Sequence, residues 1–392
     1  MQWLNVLSQQ ASLEKALQEL ASHAEFTEAD VGFLFVSSAF ASEYPRILPL
    51  LHQCFRIRVL VGCSGSGVIG SGLEIEEEPA ISLTLARLPD VQVHPFYLDP
   101  AAMPDLDASP AAWEAYLGIS NQLRPHFILL SDHFRTGINE LVQGLDFAYP
   151  HSSKVGGLMS GGSQARDHAL FLQDRFYRQG TVGVALAGNI RVDSVVAQGC
   201  RPVGSPLQVS QISGNVITAL EDRPPLALLK DMVQDLSPQE QRLIRHSNGI
   251  FIGIVTDPFK ADPKPGDFLV RMILGLDPET GAIAVAERIR PGQRIQFHVR
   301  DAQTSAADLK TVLERYQAGL KTSPQGALLF SCLARGISLY QAPNIDSTLM
   351  ASILGDIPLG GFFGNGEIGP VGNSTHVHGF TSVFALFHPA HA

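Results

Sequence analysis

Cysteine and charge are both scarce in this chain of 392 residues, and each shortage narrows what the protein can be. The four cysteines, at positions 54, 63, 200 and 332, include no C-x-x-C pair, so the spacing typical of a structural zinc site is missing. Only 17% of the residues are charged, and the formal net charge is -10. No cluster of Lys and Arg offers the positive surface that nucleic acids require, which disfavours nucleic-acid binding.

Long apolar segments are also missing. The first twenty residues mix Gln, Asn, Glu and Lys with apolar side chains, which is unlike a secretory signal peptide. No stretch reaches the length of a membrane-spanning helix. Because the few cysteines also suit a reducing compartment, we expect a cytoplasmic protein without an integral membrane segment.

Glycine, in contrast, is abundant, and its spacing repeats. Segments 61–70 (VGCSGSGVIG) and 360–369 (GGFFGNGEIG) share the pattern G-x-x-G-x-G-x-I-G, and segment 155–162 (VGGLMSGG) is a looser third copy. An apolar run and a segment of helix length precede each copy. The repeat therefore predicts three units, each reading strand, helix, strand, glycine loop and a further strand.

This organisation predicts a mixed α/β fold, with helices packed on mixed sheets. We expect an N-terminal domain over 1–192 with two repeat-like units. A C-terminal domain over 193–392 would hold a helical insert, beginning with a helix over 209–220, and the third unit. The glycines at 65, 67 and 70 match a dinucleotide-binding fingerprint, but strands rather than a helix are predicted after them, which disfavours that function.

The glycine loops are candidate ligand sites. Loops at strand ends leave backbone N–H groups that suit a carboxylate or phosphate, although the same glycines also serve tight turns and crossing strands. The candidate residues in and beside these loops are Cys63, Ser64, Gly65, Gly361, Phe363, Asn365 and Glu367.

Other candidates lie on neighbouring segments. Arg300 and Arg335 could each clamp a ligand carboxylate, or else pair with an internal acid. Ser331 stands beside Cys332 at a strand end, and an enzyme would use Cys332 or Cys63 with His378 as base. The commoner role of such cysteines is a small buried side chain.

The motifs VLVGCSGSGVIGSG, ALLFSCLARG, PLGGFFGNGEIGP and HGFTSVFALF together resemble the FIST family, with its N-terminal and C-terminal parts. The resemblance implies a stand-alone sensory module for signal transduction, which binds a small polar, amino-acid-like ligand and acts on a protein partner. Some bacterial relatives are haem-binding gas sensors, so haem stays open as a cofactor. Binding followed by a conformational shift, rather than turnover, is the expected mode of action.

Overall fold

The computed structural model describes residues 1–132, 137–162, 164–246 and 249–390. With 27% helix and 41% strand, it confirms the predicted mixed α/β class. The strands are β1 (Gln2–Ser8), β2 (Glu28–Ser37), β3 (Arg56–Gly65), β4 (Gly67–Gly70), β5 (Leu73–Glu76), β6 (Ile81–Arg87), β7 (Val91–Leu98), β8 (His126–Ser131), β9 (Lys154–Leu158), β10 (Leu170–Leu172), β11 (Arg175–Tyr177), β12 (Thr181–Gly188), β13 (Arg191–Ala197), β14 (Arg201–Ser213), β15 (Val216–Leu220), β16 (Ile250–Val255), β17 (Phe268–Leu276), β18 (Ile283–Val285), β19 (Arg294–Val299), β20 (Gly326–Cys332), β21 (Leu359–Gly364), β22 (Glu367–Val371), β23 (Ser374–His378) and β24 (Ser382–His388). The helices are α1 (Leu13–His23), α2 (Tyr44–Cys54), α3 (Pro110–Leu117), α4 (Ile138–Ala148), α5 (Pro225–Asp235), α6 (Pro238–His246), α7 (Ala302–Ala318), α8 (Gly336–Tyr340) and α9 (Ile345–Leu354).

The chain divides into two compact units. Unit 1 comprises Met1–Val196, Leu309–Pro370 and Ser374–Ala392, whereas unit 2 comprises Ala197–Asp308 and Val371–Asn373. Along the sequence, unit 2 is therefore inserted into unit 1.

Unit 1 contains three six-stranded sheets that share a common centre. Sheet 1 has the order β1-β6-β2-β3-β10-β11, sheet 2 the order β23-β22-β9-β8-β12-β7, and sheet 3 the order β13-β24-β20-β21-β4-β5. In each sheet a parallel pair, β2 with β3, β8 with β9 or β20 with β21, is flanked by an antiparallel strand. These pairs are the three strand–helix–strand units that the sequence repeat predicts.

The strand that follows each glycine loop leaves its own sheet. After the first loop, β4 pairs with β21 in sheet 3; after the third loop, β22 pairs with β9 in sheet 2; and β10, after the second loop, pairs with β3 in sheet 1. The exchange is thus cyclic. The glycine loops are the points where the chain crosses from one sheet to another, and this brings all three loops together.

In each of the three strand–helix–strand units, the two parallel strands approach so closely at one position that it must be glycine. A Cβ added at Gly62 would lie 2.0 Å from the carbonyl oxygen of Leu34. The equivalent distances are 1.8 Å from Gly156 to the Leu129 oxygen and 1.9 Å from Gly361 to the oxygen of the matching leucine in β20. Since real Cβ atoms cannot approach a carbonyl oxygen so closely, only glycine fits these positions.

The three sheets pack on one apolar core. Phe35 of sheet 1 stacks on Phe362 of sheet 3 with ring centroids 5.3 Å apart, and Phe330 meets Phe362 edge-on at 5.9 Å. All three rings are buried. Helices cover the outer faces: α1, for example, buries Ala16 and Leu20 at helical spacing, as expected for an amphipathic helix.

In unit 2, the strands close into a six-stranded barrel in the order β14-β15-β18-β17-β16-β19. The helix predicted over 209–220 is wrong, because β14 and β15 occupy this stretch and turn at Gly214 with φ +63. The segment is rich in β-branched residues, including Val216 and Ile217, which favour a half-buried strand. None of the helices that the structure describes is long and apolar enough to cross a membrane.

Candidate functional site at the three glycine loops

The three glycine loops of unit 1 meet in one place. We call the residues that join them the loop ring, and it consists of Ser64–Ser66, Leu158–Ser160 and Phe363–Asn365. Each of the three segments comes at or just after the end of the second strand of a parallel pair, at the point where the chain changes sheet.

Backbone hydrogen bonds make two of the three links in the ring. The N–H of Ser160 donates to the carbonyl oxygen of Ser64 at 3.2 Å, which joins the second loop to the first. The N–H of Asn365 donates to the carbonyl oxygen of Leu158 at 3.0 Å, which joins the third loop to the second.

A serine side chain makes the third link. The Oγ of Ser160 accepts a hydrogen bond from the N–H of Ser66 at 2.8 Å and donates to the carbonyl oxygen of Phe363. This hydroxyl therefore touches the first and third loops at once. It is fully buried, so the ring depends on it at a point that water does not reach.

These links contradict the expectation that the loops leave their backbone N–H groups free. The N–H groups of Ser66, Ser160 and Asn365 are all used within the ring. The reason is the cyclic topology, which the repeat alone did not reveal: each loop supplies an acceptor to its neighbour. The glycines serve crossing strands, which was the alternative interpretation.

The ring nevertheless presents polar side chains outward. Asn365 is exposed, and Ser66 is partly exposed, although both belong to hydrogen-bonded loops. The Nδ2 of Asn365 donates to the Met159 carbonyl oxygen at 3.2 Å, and the Oγ of Ser66 donates to the Phe363 carbonyl oxygen at 3.5 Å. Gly162 of the second loop is also exposed. The outward side therefore offers a carboxamide and a hydroxyl.

Three of the predicted site residues, Cys63, Glu367 and His378, are buried. Cys63 is fully buried, and this burial raises the pKa of its thiol, which opposes formation of a nucleophilic thiolate. Glu367 is buried and its Oε2 accepts from the N–H of Thr381 at 3.2 Å. His378 lies 3.0 Å from the carbonyl oxygen of Gly369, to which its Nε2–H donates.

A second polar site, which we call the charged cluster, comprises Glu74, Ser331, Arg335, Tyr340, Asp346 and Ser382. Its centre is a fully buried ion pair: Nε and Nη2 of Arg335 donate to the two carboxylate oxygens of Asp346 at 2.8 and 2.9 Å. Tyr340 and Ser331 donate to the same carboxylate at 3.0 and 3.2 Å. A ligand carboxylate would have to replace Asp346 to reach Arg335.

The pKa values of the two acids in the charged cluster, Asp346 and Glu74, are shifted in opposite directions. Burial alone would raise the pKa of Asp346, but Arg335 and the hydroxyl donors outweigh it and hold the pKa below its ordinary value. Burial raises the pKa of Glu74 to about 7, and the negative charge of Asp346 adds to the rise. Glu74 accepts from the N–H of Ser347 at 2.6 Å through Oε1, and its Oε2 has no hydrogen-bond partner among the described residues.

Comparison with known proteins agrees with this architecture. The FIST N domain model matches residues 30–223, and the FIST C domain model matches residues 225–370. The chain belongs to the FIST family. FIST domains are generally sensory domains for small ligands in signal transduction. The two matches meet inside unit 2, whose barrel takes β14 and β15 from the FIST N part and its other strands from the FIST C part.

Full-length relatives share most of the chain. An uncharacterized protein of Mycobacterium tuberculosis is 38% identical over 379 residues, which cover 96% of each chain. An uncharacterized protein of Mycobacterium bovis is 37% identical over 383 residues, which cover 97% of this chain and 96% of the relative. Both alignments thus extend over nearly the whole length of the relatives as well as of this chain.

The predicted site residues of this FIST protein fall into separate groups. Ser64, Gly65, Phe363 and Asn365 lie in the loop ring, and Gly361 lies in β21 just before it. Ser331 and Arg335 belong to the charged cluster, next to the buried Cys332. Arg300 lies in unit 2, where its backbone N–H donates to the carbonyl oxygen of Gly249 at 3.1 Å.

Sequence reasoning missed Ser160, Glu74 and Asp346. The glycine-repeat copy at 155–162, which forms the second loop, contains Ser160 at the position equivalent to Ser66 and Asn365. An alignment of all three copies could therefore have found it. No motif marks the two acids: the partner of Glu74, Ser347, lies 273 residues away, and Asp346, although 11 residues from Arg335, shares no recognisable pattern with it. In the part of the chain that the structure describes, no group of three or more His, Cys, Asp or Glu side chains is placed to hold a metal ion.

Proposed function

We propose that this FIST protein is a sensory module that binds a small polar, amino-acid-like ligand at the outward side of the loop ring. The observation that carries the proposal is the meeting of three glycine loops, one from each sheet, at a place where the polar side chains of Ser66 and Asn365 reach solvent. Membership of the FIST family supports a small molecule as the ligand.

The chemistry of the two side chains suits a ligand with both charges. A carboxamide and a hydroxyl can each donate and accept hydrogen bonds, so together they serve an ammonium group and a carboxylate. The backbone N–H groups of the ring are already used, which leaves recognition to these side chains. The small glycines beside them let a ligand approach the backbone closely.

A ligand at this place could act on the whole of unit 1. The ring connects three sheets through three hydrogen-bonded links, so a ligand that binds better to one arrangement of the loops shifts the population toward it. A differential affinity of a few kcal/mol is enough for such a shift. A protein partner that recognises the shifted form would complete the signal.

Calorimetric titration of the full chain with the twenty amino acids tests the proposal. Ser66→Ala and Asn365→Ala remove outward groups but keep the backbone links of the ring. We expect each to weaken binding about tenfold or more, because a lost hydrogen bond to a charged ligand costs roughly 1.5 to 3 kcal/mol. Gln122→Ala changes an exposed amide elsewhere in unit 1 and is the matched control.

The same two variants also define the result that would contradict the proposal. An amino acid that binds wild type, Ser66→Ala and Asn365→Ala with equal affinity would place the site elsewhere. Thermal unfolding of each variant separates this result from a loss of folding, since the ring keeps its backbone hydrogen bonds in both.

A further inference from the structure

Unit 2 contains an irregularity in the pairing of two of its barrel strands. The pairing of β14 with β19 jumps from Val203 opposite Phe297 to Leu207 opposite Ile295. Four residues of β14 therefore advance against two of β19, and the residues between them bulge out of the ladder. Bulges of this kind often re-aim side chains beside a site.

Two contacts hold the bulge in place. The side chain of Gln296, itself buried, donates from Nε2 to the carbonyl oxygen of Gly204 at 2.7 Å. On the other side lies Met232 of α5, whose Cγ would be 3.1 Å from a Cβ added at Gly204. Gly204 has φ +66, a conformation that favours glycine. The bulge is thus a fixed feature between the barrel and α5.

Between the bulge and α5 lies a pocket of about 410 Å³. Its apolar walls are formed by Val203, Leu207, Leu228, Met232, Leu236 and Phe297. Phe297 and Val203 belong to the buried core of the barrel, so the pocket reaches down to that core. The volume falls within the range of small-molecule sites, which are mostly apolar with a few polar groups.

The polar groups at this pocket favour a positive charge. Among the described residues that line it, Asp235 is the one ionisable side chain, and Ser205 adds a hydroxyl. It is also the last residue of α5, where the helix dipole is negative and the last turn carries no basic residue. No other described residue forms an ion pair or hydrogen bond with its carboxylate. A cation bound here would meet both sources of negative potential.

We infer that this pocket binds a small hydrophobic cation, a compact aromatic or aliphatic amine whose apolar body lies against Met232 and Phe297 and whose ammonium group meets Asp235. The inference goes beyond the loop ring, which lies in unit 1 and is proposed for a polar ligand. It rests on the bulge, the pocket and Asp235 together.

Methionine methyl NMR of the full chain provides the test. Protein labelled with methyl-¹³C methionine is titrated with 2-phenylethylamine, with 3-phenylpropionate as the anion of similar shape and with 2-phenylethanol as the neutral one. The Met232 resonance is assigned from Met232→Leu. We expect the amine to shift this resonance saturably, and the carboxylate to bind at least about fivefold more weakly.

Two variants locate the charge recognition. Asp235→Asn should weaken amine binding about three- to fivefold and leave the response to 2-phenylethanol unchanged. Glu279→Gln removes an exposed acid in another turn of unit 2 and should change neither. An unchanged methionine spectrum of Asp235→Asn without ligand shows that it is folded. Equal binding of amine and carboxylate, equal binding by Asp235→Asn, or an amine-insensitive Met232 resonance would each overturn the inference.

Discussion

The loop ring and the charged cluster both lie in unit 1, yet they are held by opposite means. The ring uses neutral backbone groups and the hydroxyl of Ser160, each with a partner, so it carries no ionisable group. The charged cluster buries Arg335, Asp346 and Glu74, and its stability depends on which of them carry charge. The comparison teaches that a protein can hold one site insensitive to pH while a second site in the same unit titrates near neutrality.

Breaking the buried ion pair should have the largest effect. Asp346→Ala leaves the Arg335 guanidinium buried without its counter-charge, which typically costs about 3 to 5 kcal/mol. Urea unfolding measures the loss, and Asp356→Ala, at an exposed acid just after α9, is the control. The double variant Arg335→Met/Asp346→Ala should recover part of the loss. A single variant as stable as wild type would contradict the assigned pairing.

The next largest effect should come from the crossing of the strands. Gly156→Ala places a methyl group where the Leu129 carbonyl oxygen lies 1.8 Å away, and the backbone must move. We expect a destabilisation of about 2 to 3 kcal/mol, by the same unfolding measurement. Gly379→Ala is the control, because an added Cβ there meets nothing within 4 Å. Equal stability of the two variants would show that the approach is not tight.

Glu74 should make stability depend on pH. The pKa of Glu74 is raised in the folded state to about 7. The stability that its protonated side chain contributes is therefore fully present below the unfolded pKa near 4.5, and it is lost as the pH rises through 7. The free energy of unfolding of Glu74→Gln relative to that of wild type should therefore rise by on the order of 2 kcal/mol between pH 5 and pH 8. Urea unfolding at both pH values measures the difference, with Glu78→Gln as the exposed control. A gain that does not grow with pH would contradict the assignment.

The smallest effect should come from the ring. Ser160→Ala leaves the N–H of Ser66 and the carbonyl oxygen of Phe363 without their bridging hydroxyl, at a cost of roughly 1 to 2 kcal/mol. Since no ionisable group takes part, this cost should be the same at pH 5 and pH 8. A cost that changes between these pH values would remove the distinction between the two sites.

The repeat in the sequence predicted more of the fold than of the site. Matching glycine spacings correctly predicted three strand–helix–strand units, because Gly62, Gly156 and Gly361 answer the same local requirement. The exchange of strands between sheets could not be predicted, since it depends on pairings between segments up to about three hundred residues apart. The ring bonds follow from that exchange and were missed with it.

The contacts of the charged cluster could not be predicted from the sequence either. Arg335 was found because it follows a strand end, but its partner Asp346 lies on α9 and Glu74 on β5, and no spacing connects the three. The helix expected over 209–220 failed for a different reason. Closure of the barrel uses β-branched residues on both sides of Gly214, and this tertiary demand decides the conformation of the segment.

The most direct test of the loop ring as the sensory site is native mass spectrometry of freshly purified protein. Wild type, Gln122→Ala and the double variant Ser66→Ala/Asn365→Ala would be prepared in parallel. We predict a small organic mass retained by wild type and by Gln122→Ala, and lost or strongly reduced in the double variant. The same mass at equal occupancy in all three proteins, or no retained mass and no amino-acid binding by wild type, would contradict the account.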